Sequence, residues 1–267
     1  MDEHGKRKKK LKGYPPFLKN GSSGRSALFP FVSRSFVPSV FTVMNMLCGY
    51  IAIVMAGESN FATACWFIIL AAFFDTVDGF IARVTNGTSD FGFELDSLSD
   101  LVSFGAAPAY LAYKFGLEQL PAFFGIVVSS MVVIGSGLRL ARFNISVIGY
   151  RKESFSGLPT PAQALAIAGF VLWMKTDPFL PDKTMHIALG WLSTFLALLM
   201  VSKVNYDALP KPTAEAFRRN PVQMVFYVGA VFCVLLYQAK AFFLAMLLYI
   251  LLGIVRSAKL AYRQWQT

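Results

Sequence analysis

Four aspartates stand at helical spacing in the stretch FDTVDGFIARVTNGTSDFGFELDSLSD, residues 74–100. Asp75 and Asp78 lie three residues apart and Asp96 and Asp100 lie four apart, so each pair falls on one face of a helix. Carboxylates can converge only around positive charge, because like charges at short range force protonation. All-oxygen ligand sets favour hard cations such as Mg²⁺, Mn²⁺ or Ca²⁺ over Zn²⁺. The spacing therefore indicates a divalent-cation site shared by two helices.

The residues around the aspartates favour phosphoryl transfer. Two metal ions about 3.5–4 Å apart can bind the oxygens of a phosphoryl group and stabilise a leaving group. Gly79 and Ala82 share the face of the first pair and have little bulk, so a ligand can approach the helix backbone there. Arg83 lies close to that face and can pair with a phosphate. An acid-lined cation transporter or channel is the alternative from a different functional class.

The elements that must position these residues are membrane-spanning helices. Of the 267 residues, 55% are hydrophobic, and the mean hydropathy is +0.53. The apolar runs are about 17–22 residues long, which is the length that crosses a bilayer. The sequence predicts an all-α integral membrane protein, a polytopic bundle of about eight transmembrane helices. The predicted spans are 38–56, 60–82, 97–115, 121–142, 161–175, 185–202, 221–238 and 241–258.

The distribution of charge orients this bundle in the membrane. The formal net charge is +10, and six basic residues stand in KRKKKLK near the amino terminus. With both termini in the cytoplasm, 21 of the 25 Lys and Arg residues fall on the cytoplasmic side, as the positive-inside rule requires. The loop predicted at 83–96, and with it the aspartates, then faces the cytoplasm. The basic run is expected to lie near anionic lipid headgroups and not to bind nucleic acid.

The chain is predicted to form one catalytic membrane domain between two short tails. Residues 1–37 form a basic cytoplasmic tail, in which LFPFVSRSFVP (28–38) could lie in the membrane interface. Residues 38–258 form the transmembrane catalytic domain, and 259–267 form a short cytoplasmic tail. The three cysteines stand in apolar runs without CxxC spacing, and the two histidines are far from the aspartates. A site built on Cys or His is therefore not expected.

The aspartate stretch resembles the signature of the CDP-alcohol phosphotransferase family. The match runs Asp75-x-x-Asp78-Gly79-x-x-Ala82-Arg83, then eight residues, then Gly92-x-x-x-Asp96-x-x-x-Asp100. Residues 37–50, VPSVFTVMNMLCGY, are similar to the first-helix pattern of the family. The chain has Ser39 where many members have Asn. The pattern positions that are in place are Pro38, Thr42, Asn45 and Gly49.

This resemblance implies a six-helix core, to which the chain adds two spans, with the active site on the cytoplasmic side. It implies displacement of CMP from a CDP-linked donor by an alcohol, and it implies homodimerisation. Asp75, Asp78 and Asp96 are expected to bind two divalent cations, Mg²⁺ or Mn²⁺. Asp100 is expected to contact a metal and to act as general base. The positions expected to contact the CDP part are Ser39, Thr42, Asp75, Gly79, Ala82, Arg83, Ser89 and Gly92.

Three further stretches look like the phosphatidylserine synthase branch of the family: SDLVSFGAAPA (99–109), RLARFN (139–144) and FSGLPTPAQA (155–164). This resemblance implies CDP-diacylglycerol as donor and L-serine as acceptor, in a lipid membrane that in a prokaryote would be the inner membrane. A serine zwitterion needs a cation for its carboxylate and an acceptor for its ammonium. The shared CDP-binding residues leave other acceptors open, among them glycerol 3-phosphate and inositol phosphate. The candidates for the acceptor pocket are Ser103, Arg139, Arg142 and Asn144.

Overall fold

The computed structural model describes residues 36–85, 89–121, 123–148, 157–202, 204, 206 and 239–259, and these residues are helical with short connections and no β-strand. The all-α class predicted from the sequence is confirmed. In chain order the helices are α1 (Phe36–Gly57), α2 (Phe61–Thr85), α3 (Asp90–Asp100), α4 (Ala107–Phe115), α5 (Phe124–Ile148), α6 (Thr160–Thr176), α7 (Asp182–Val201) and α8 (Ala239–Lys259).

Five of these helices are long and apolar enough to cross a membrane. Seven of the eight predicted spans coincide with described helices, α3 and α4 together forming the third. The span predicted at 221–238 lies outside the described residues, as do residues 1–35 of the basic tail predicted at 1–37 and residues 260–267. The count of eight and the domain boundaries therefore stay predictions. The five candidate spans are Ser39–Gly57, Phe61–Ala82, Phe124–Ile145, Asp182–Val201 and Ala239–Lys259.

Small side chains allow the helices to pack closely around the site. Ala52 and Ala56 of α1 and Ala64 and Ala71 of α2 are fully buried in the core. Helices in lipid gain little from hydrophobic burial against one another, so close backbone approach through small residues stabilises their packing. α1 and α2 form an antiparallel pair joined by the short turn 58–60, and α1 also packs against α3. α1 therefore packs against both helices that carry the aspartates, α2 and α3.

The connection between α2 and α3 is shorter than the sequence predicts. The predicted loop covered 83–96, but α2 continues to Thr85 and α3 begins at Asp90. Ser89 caps α3, because its Oγ accepts a hydrogen bond from the backbone N–H of Gly92 at 3.0 Å. The predicted start of the third span at 97 was therefore too late for the helix, since hydropathy marks only the apolar part of a helix. Asp96 and Asp100 consequently both lie within α3.

A π-helical segment, Leu101–Ala106, joins α3 to α4. Pro108 accounts for it, because an α-helix would need its missing N–H to bond the carbonyl of Phe104, and the proline ring would clash with that carbonyl. The Phe104 carbonyl instead accepts a hydrogen bond from Ser136 Oγ of α5 at 3.5 Å. Single π turns within α-helices occur frequently at functional sites, and this one begins directly after Asp100.

Candidate metal centre and active site

Three of the four aspartates converge. One carboxylate oxygen from each of Asp75, Asp78 and Asp96 lies within 4.8 Å of the other two. α2 supplies the first two side chains and α3 supplies the third, so the cluster is divided between two helices. Oδ2 of Asp78 and Oδ1 of Asp96 are buried and have no hydrogen-bond partner among the residues that the structure describes. Burying such atoms without a partner is costly, and a divalent cation would satisfy both. The three residues could hold a metal ion.

The carboxyl group of Asp96 is half-buried. Partial removal from water disfavours the ionised form of such a group unless a positive charge lies nearby. A cation bound between the three aspartates would supply that charge and favour the ionised form. The burial of Asp96 and the carboxylate donors of the cluster therefore both favour a bound cation.

Asp100 lies beside the cluster. It is not one of the three residues whose oxygens converge, but its carboxyl group lies near that of Asp75. Its Oδ1 also accepts a hydrogen bond from Nδ2 of Asn45 on α1 at 3.3 Å. The contact of Asp100 with a metal stays a prediction. Its place at the edge of the cluster suits a group that exchanges a proton with a bound molecule.

Two serine side chains form hydrogen bonds that connect α3 and the π-helical segment after it to α1. Ser99 Oγ donates to the backbone carbonyl of Thr42 at 2.9 Å, and Ser103 Oγ donates to the carbonyl of Asn45 at 2.9 Å. Gly49 permits the close approach, since a Cβ there would lie 2.6 Å from Cα of Ser103. The hydroxyl of Ser103, a residue predicted for the acceptor pocket, thus forms a hydrogen bond to the backbone of α1. A substrate contact by Ser103 stays a prediction.

The positions predicted to contact the nucleotide lie on α1, on the last turns of α2 and at the start of α3: Ser39, Thr42, Asp75, Gly79, Ala82, Arg83, Ser89 and Gly92. Thr42 is buried, and its hydroxyl interacts with the carboxylate of Asp78. Ser89 and Gly92 bond to each other at the amino-terminal cap of α3. The backbone of Arg83 belongs to α2, and its side chain lies outside the described part. Nucleotide contact by these residues stays a prediction.

The two arginines predicted for the acceptor pocket have different surroundings. Arg139 of α5 is half-buried, and its guanidinium donates to Thr160 Oγ1 of α6 at 3.3 Å. Within the described part of the chain its Nε is buried without a hydrogen-bond partner, and its charge interacts with Asp100. Arg142 instead donates to the backbone carbonyl of Val201, the last residue of α7, at 2.7 Å on the exposed surface. Arg139 is therefore the arginine that the structure brings to the acids.

Asn144, the fourth residue predicted for the acceptor pocket, braces α3. Its Nδ2 donates to Ser97 Oγ at 3.0 Å, and Ser97 is the neighbour of Asp96 along the chain. Asn144 thus bonds to α3, and Arg142 bonds to the last residue of α7. A contact of Asn144 with an acceptor stays a prediction.

Polar residues that the sequence analysis did not assign to the site also lie near Arg139. Thr160 and Gln163 stand one turn apart on α6 and are both fully buried. Neither amide atom of the Gln163 side chain has a hydrogen-bond partner in the described part of the chain. Tyr249 of α8 interacts electrostatically with Arg139. The only signal for Gln163 in the sequence is one polar residue in the run PAQALAIAGF, and such a residue equally suits a helix contact.

The chain is thus a polytopic helical protein with a cluster of three aspartates, divided between two helices, that could hold a metal ion. Residues 35–201 match the family model for CDP-alcohol phosphatidyltransferase, and the chain belongs to this family. The family resemblance stated from the aspartate and first-helix motifs is confirmed.

Three curated relatives illustrate the similarity. The chain is 35% identical over 224 residues to the CDP-diacylglycerol–serine O-phosphatidyltransferase of Helicobacter pylori (strain J99), covering 82% of this chain and 90% of the relative. It is 36% identical over 181 residues to the enzyme of the same name from Bacillus subtilis (strain 168), covering 68% and 95%. It is 31% identical over 172 residues to the archaetidylserine synthase of Methanothermobacter thermautotrophicus, covering 64% and 69%.

Proposed function

We propose that the protein transfers the phosphatidyl group of CDP-diacylglycerol to the hydroxyl of L-serine and releases CMP. The observation that carries this proposal is the similarity to the Helicobacter pylori serine O-phosphatidyltransferase over 82% of this chain. The cluster of three aspartates lies within the aligned family region. The transporter alternative is set aside, because the chain belongs to a family of transferases.

Two divalent cations, Mg²⁺ or Mn²⁺, fit the residues of the site. The donors found among the described residues are carboxylate oxygens, and two of them, Oδ2 of Asp78 and Oδ1 of Asp96, have no hydrogen-bond partner there. In the proposed site Asp75, Asp78 and Asp96 hold the ions and Asp100 adds a further oxygen. When bound, such ions neutralise the charge of the pyrophosphate and of the departing CMP.

The chain's own residues perform the proton transfer and the positioning. A serine hydroxyl is a weak nucleophile at neutral pH and needs both a base and orientation. Asp100 takes the hydroxyl proton as the serine oxygen forms a bond to the phosphorus that carries diacylglycerol, and the bond from that phosphorus to CMP breaks. Arg83 pairs with a phosphate of the donor. Arg139 binds the serine carboxylate, a role supported by its Nε, which is buried without a hydrogen-bond partner among the described residues.

The location of the acids suits a lipid substrate. The acyl chains remain in the bilayer, while the headgroup reaches the aspartates in the carboxyl-terminal half of α2 and in α3. The positive-inside distribution supports a cytoplasmic active site with both termini in the cytoplasm, in the inner membrane if the source is a prokaryote. We further propose that the chain acts as a homodimer, as its family resemblance implies, and that residues 38–258 form the catalytic domain.

One assay tests the reaction and the acceptor together. The purified protein is incubated with CDP-diacylglycerol and Mg²⁺ or Mn²⁺, and CMP release is measured with serine, glycerol 3-phosphate or inositol phosphate. We expect CMP with serine, loss of CMP after chelation, and recovery when the metal is restored. An ether-linked donor is included because one relative is an archaetidylserine synthase. No CMP with any alcohol would refute the enzyme proposal, and CMP only with glycerol 3-phosphate would refute the choice of serine.

A further inference from the structure

We propose that Asn45 is a positioning residue for Asp100, whose side-chain amide sets which carboxylate oxygen of Asp100 faces the incoming hydroxyl. This inference rests on the proposed function, in which Asp100 is the base. The sequence analysis noted Asn45 as a position of the first-helix pattern but gave it no role.

Asn45 is fully buried at the contact of α1 with the acid-bearing helix. Its Nδ2 donates to Oδ1 of Asp100 at 3.3 Å, and its backbone carbonyl accepts from Ser103 Oγ at 2.9 Å. Oδ1 of Asn45 is buried and has no partner among the described residues. Within the described part of the chain, the one hydrogen bond of the Asn45 side chain therefore goes to Asp100.

A fixed donor matters because the terminal torsion of an aspartate is soft. The carboxylate plane turns within a broad, two-fold energy well and does not occupy sharp rotamers. A general base must lie about 2.6–3.2 Å from the oxygen whose proton it takes, and a freely turning carboxylate does not hold that distance. The amide of Asn45 engages Oδ1 of Asp100, which leaves Oδ2 to face the acceptor. Hydrogen bonds to an ionised acceptor are also stronger than neutral ones.

The test compares two variants of the full-length protein in detergent micelles. Asn45→Leu keeps the approximate shape of the side chain without a donor, and Asn45→Ala removes the donor without adding bulk. We expect kcat for CMP release with serine to fall about ten- to a hundredfold in both, the loss typical of one hydrogen bond to a charged group. The KM values for CDP-diacylglycerol and serine should stay within about twofold, because Asn45 does not bind either substrate in this proposal.

A double-mutant cycle separates positioning from packing. If Asn45 acts through Asp100, adding Asn45→Leu to Asp100→Asn should change kcat by less than about twofold. Ser99→Ala is the matched control, because it removes another buried hydrogen bond between the same helices, to the Thr42 carbonyl at 2.9 Å. We expect this control to keep kcat within about twofold of wild type.

Four results would overturn the proposal. These are an unchanged kcat in the Asn45 variants, an equal loss in Ser99→Ala, an Asn45→Leu factor that persists in the Asp100→Asn background, or loss of the thermal unfolding transition in both Asn45 variants. The last result would assign Asn45 to the fold alone. Failure of the proposed function is distinct, because the wild-type protein would then release no CMP with serine. If wild type uses another alcohol, the same cycle with that alcohol tests Asn45.

Discussion

The substitution Gly49→Ala tests whether the close approach of α1 to the acid-bearing helix determines activity. The added Cβ would lie 2.6 Å from Cα of Ser103 and would also contact its Oγ. Because the first of these neighbours is backbone, rotation of a side chain cannot relieve the clash. Ordinary carbon contacts lie near 3.4–4 Å, so the two backbones must separate by about 0.8–1.4 Å in this close-packed core.

The consequence for activity should exceed the consequence for stability. Alanine in a helix interior is favoured over glycine by about 1 kcal/mol, whereas overpacking costs about 1–3 kcal/mol. The free energy of unfolding should therefore fall by no more than about 2 kcal/mol. Asn45 lies one turn before Gly49 and contacts Asp100. A displacement of about 1 Å at a catalytic group can cost about 10²-fold in rate, so we expect kcat to fall about ten- to a hundredfold.

The assay is CMP release with serine, together with thermal unfolding in the same detergent. Gly57→Ala is the matched control on the same helix, because its Cβ would lie 3.5 Å from the hydroxyl oxygen of Tyr110, an ordinary contact. We expect the control to keep kcat within about twofold and to be no less stable. A Gly49→Ala variant with kcat within twofold of wild type would refute the reasoning, and so would an equal loss in Gly57→Ala.

Three further substitutions have defined outcomes. Asp100→Asn should retain nucleotide binding but lose turnover by about 10²-fold or more, and near-normal turnover would remove Asp100 as the base. Arg139→Ala should raise the KM for serine about tenfold or more. Arg142→Ala should leave this KM unchanged and lower the free energy of unfolding by about 1 kcal/mol. A raised KM in the Arg142 variant with an unchanged KM in the Arg139 variant would exchange the roles of the two arginines. Gly157→Ala should lower the free energy of unfolding by about 1–3 kcal/mol, because Gly157 has φ of +95° and an added Cβ would collide with the Met200 carbonyl; an unchanged melting temperature would contradict this.

The sequence predicts those features that depend on local chemistry. Hydropathy places the membrane helices, and helical periodicity places Asp75 and Asp78 on one face of α2, because both signals are properties of a short window. Hydropathy fails at the start of α3. There the polar first turns, capped by Ser89, are helical although they are not apolar.

Contacts between distant residues depend on packing that the sequence does not display. Asn45 and Asp100 are 55 residues apart along the chain, and their hydrogen bond requires a particular rotation and height of two helices. Arg139 and Arg142 look alike in sequence, since both are basic residues on one face of the carboxyl-terminal half of α5. One turn of helix separates them, and this distance places one guanidinium beside the acids and the other beside the end of α7.

The π-helical segment allows the two halves of the third span to vary separately. One residue inserted into a regular α-helix rotates everything beyond it by about 100° and shifts it by about 1.5 Å. The wide turn at Leu101–Ala106 absorbs such an extra residue locally. α3, which carries Asp96 and Asp100, can therefore keep its orientation while α4 is rotated about its axis by a different amount. In evolutionary terms, α4 could accommodate a different bilayer or a different helix neighbour without turning the acids away from α2.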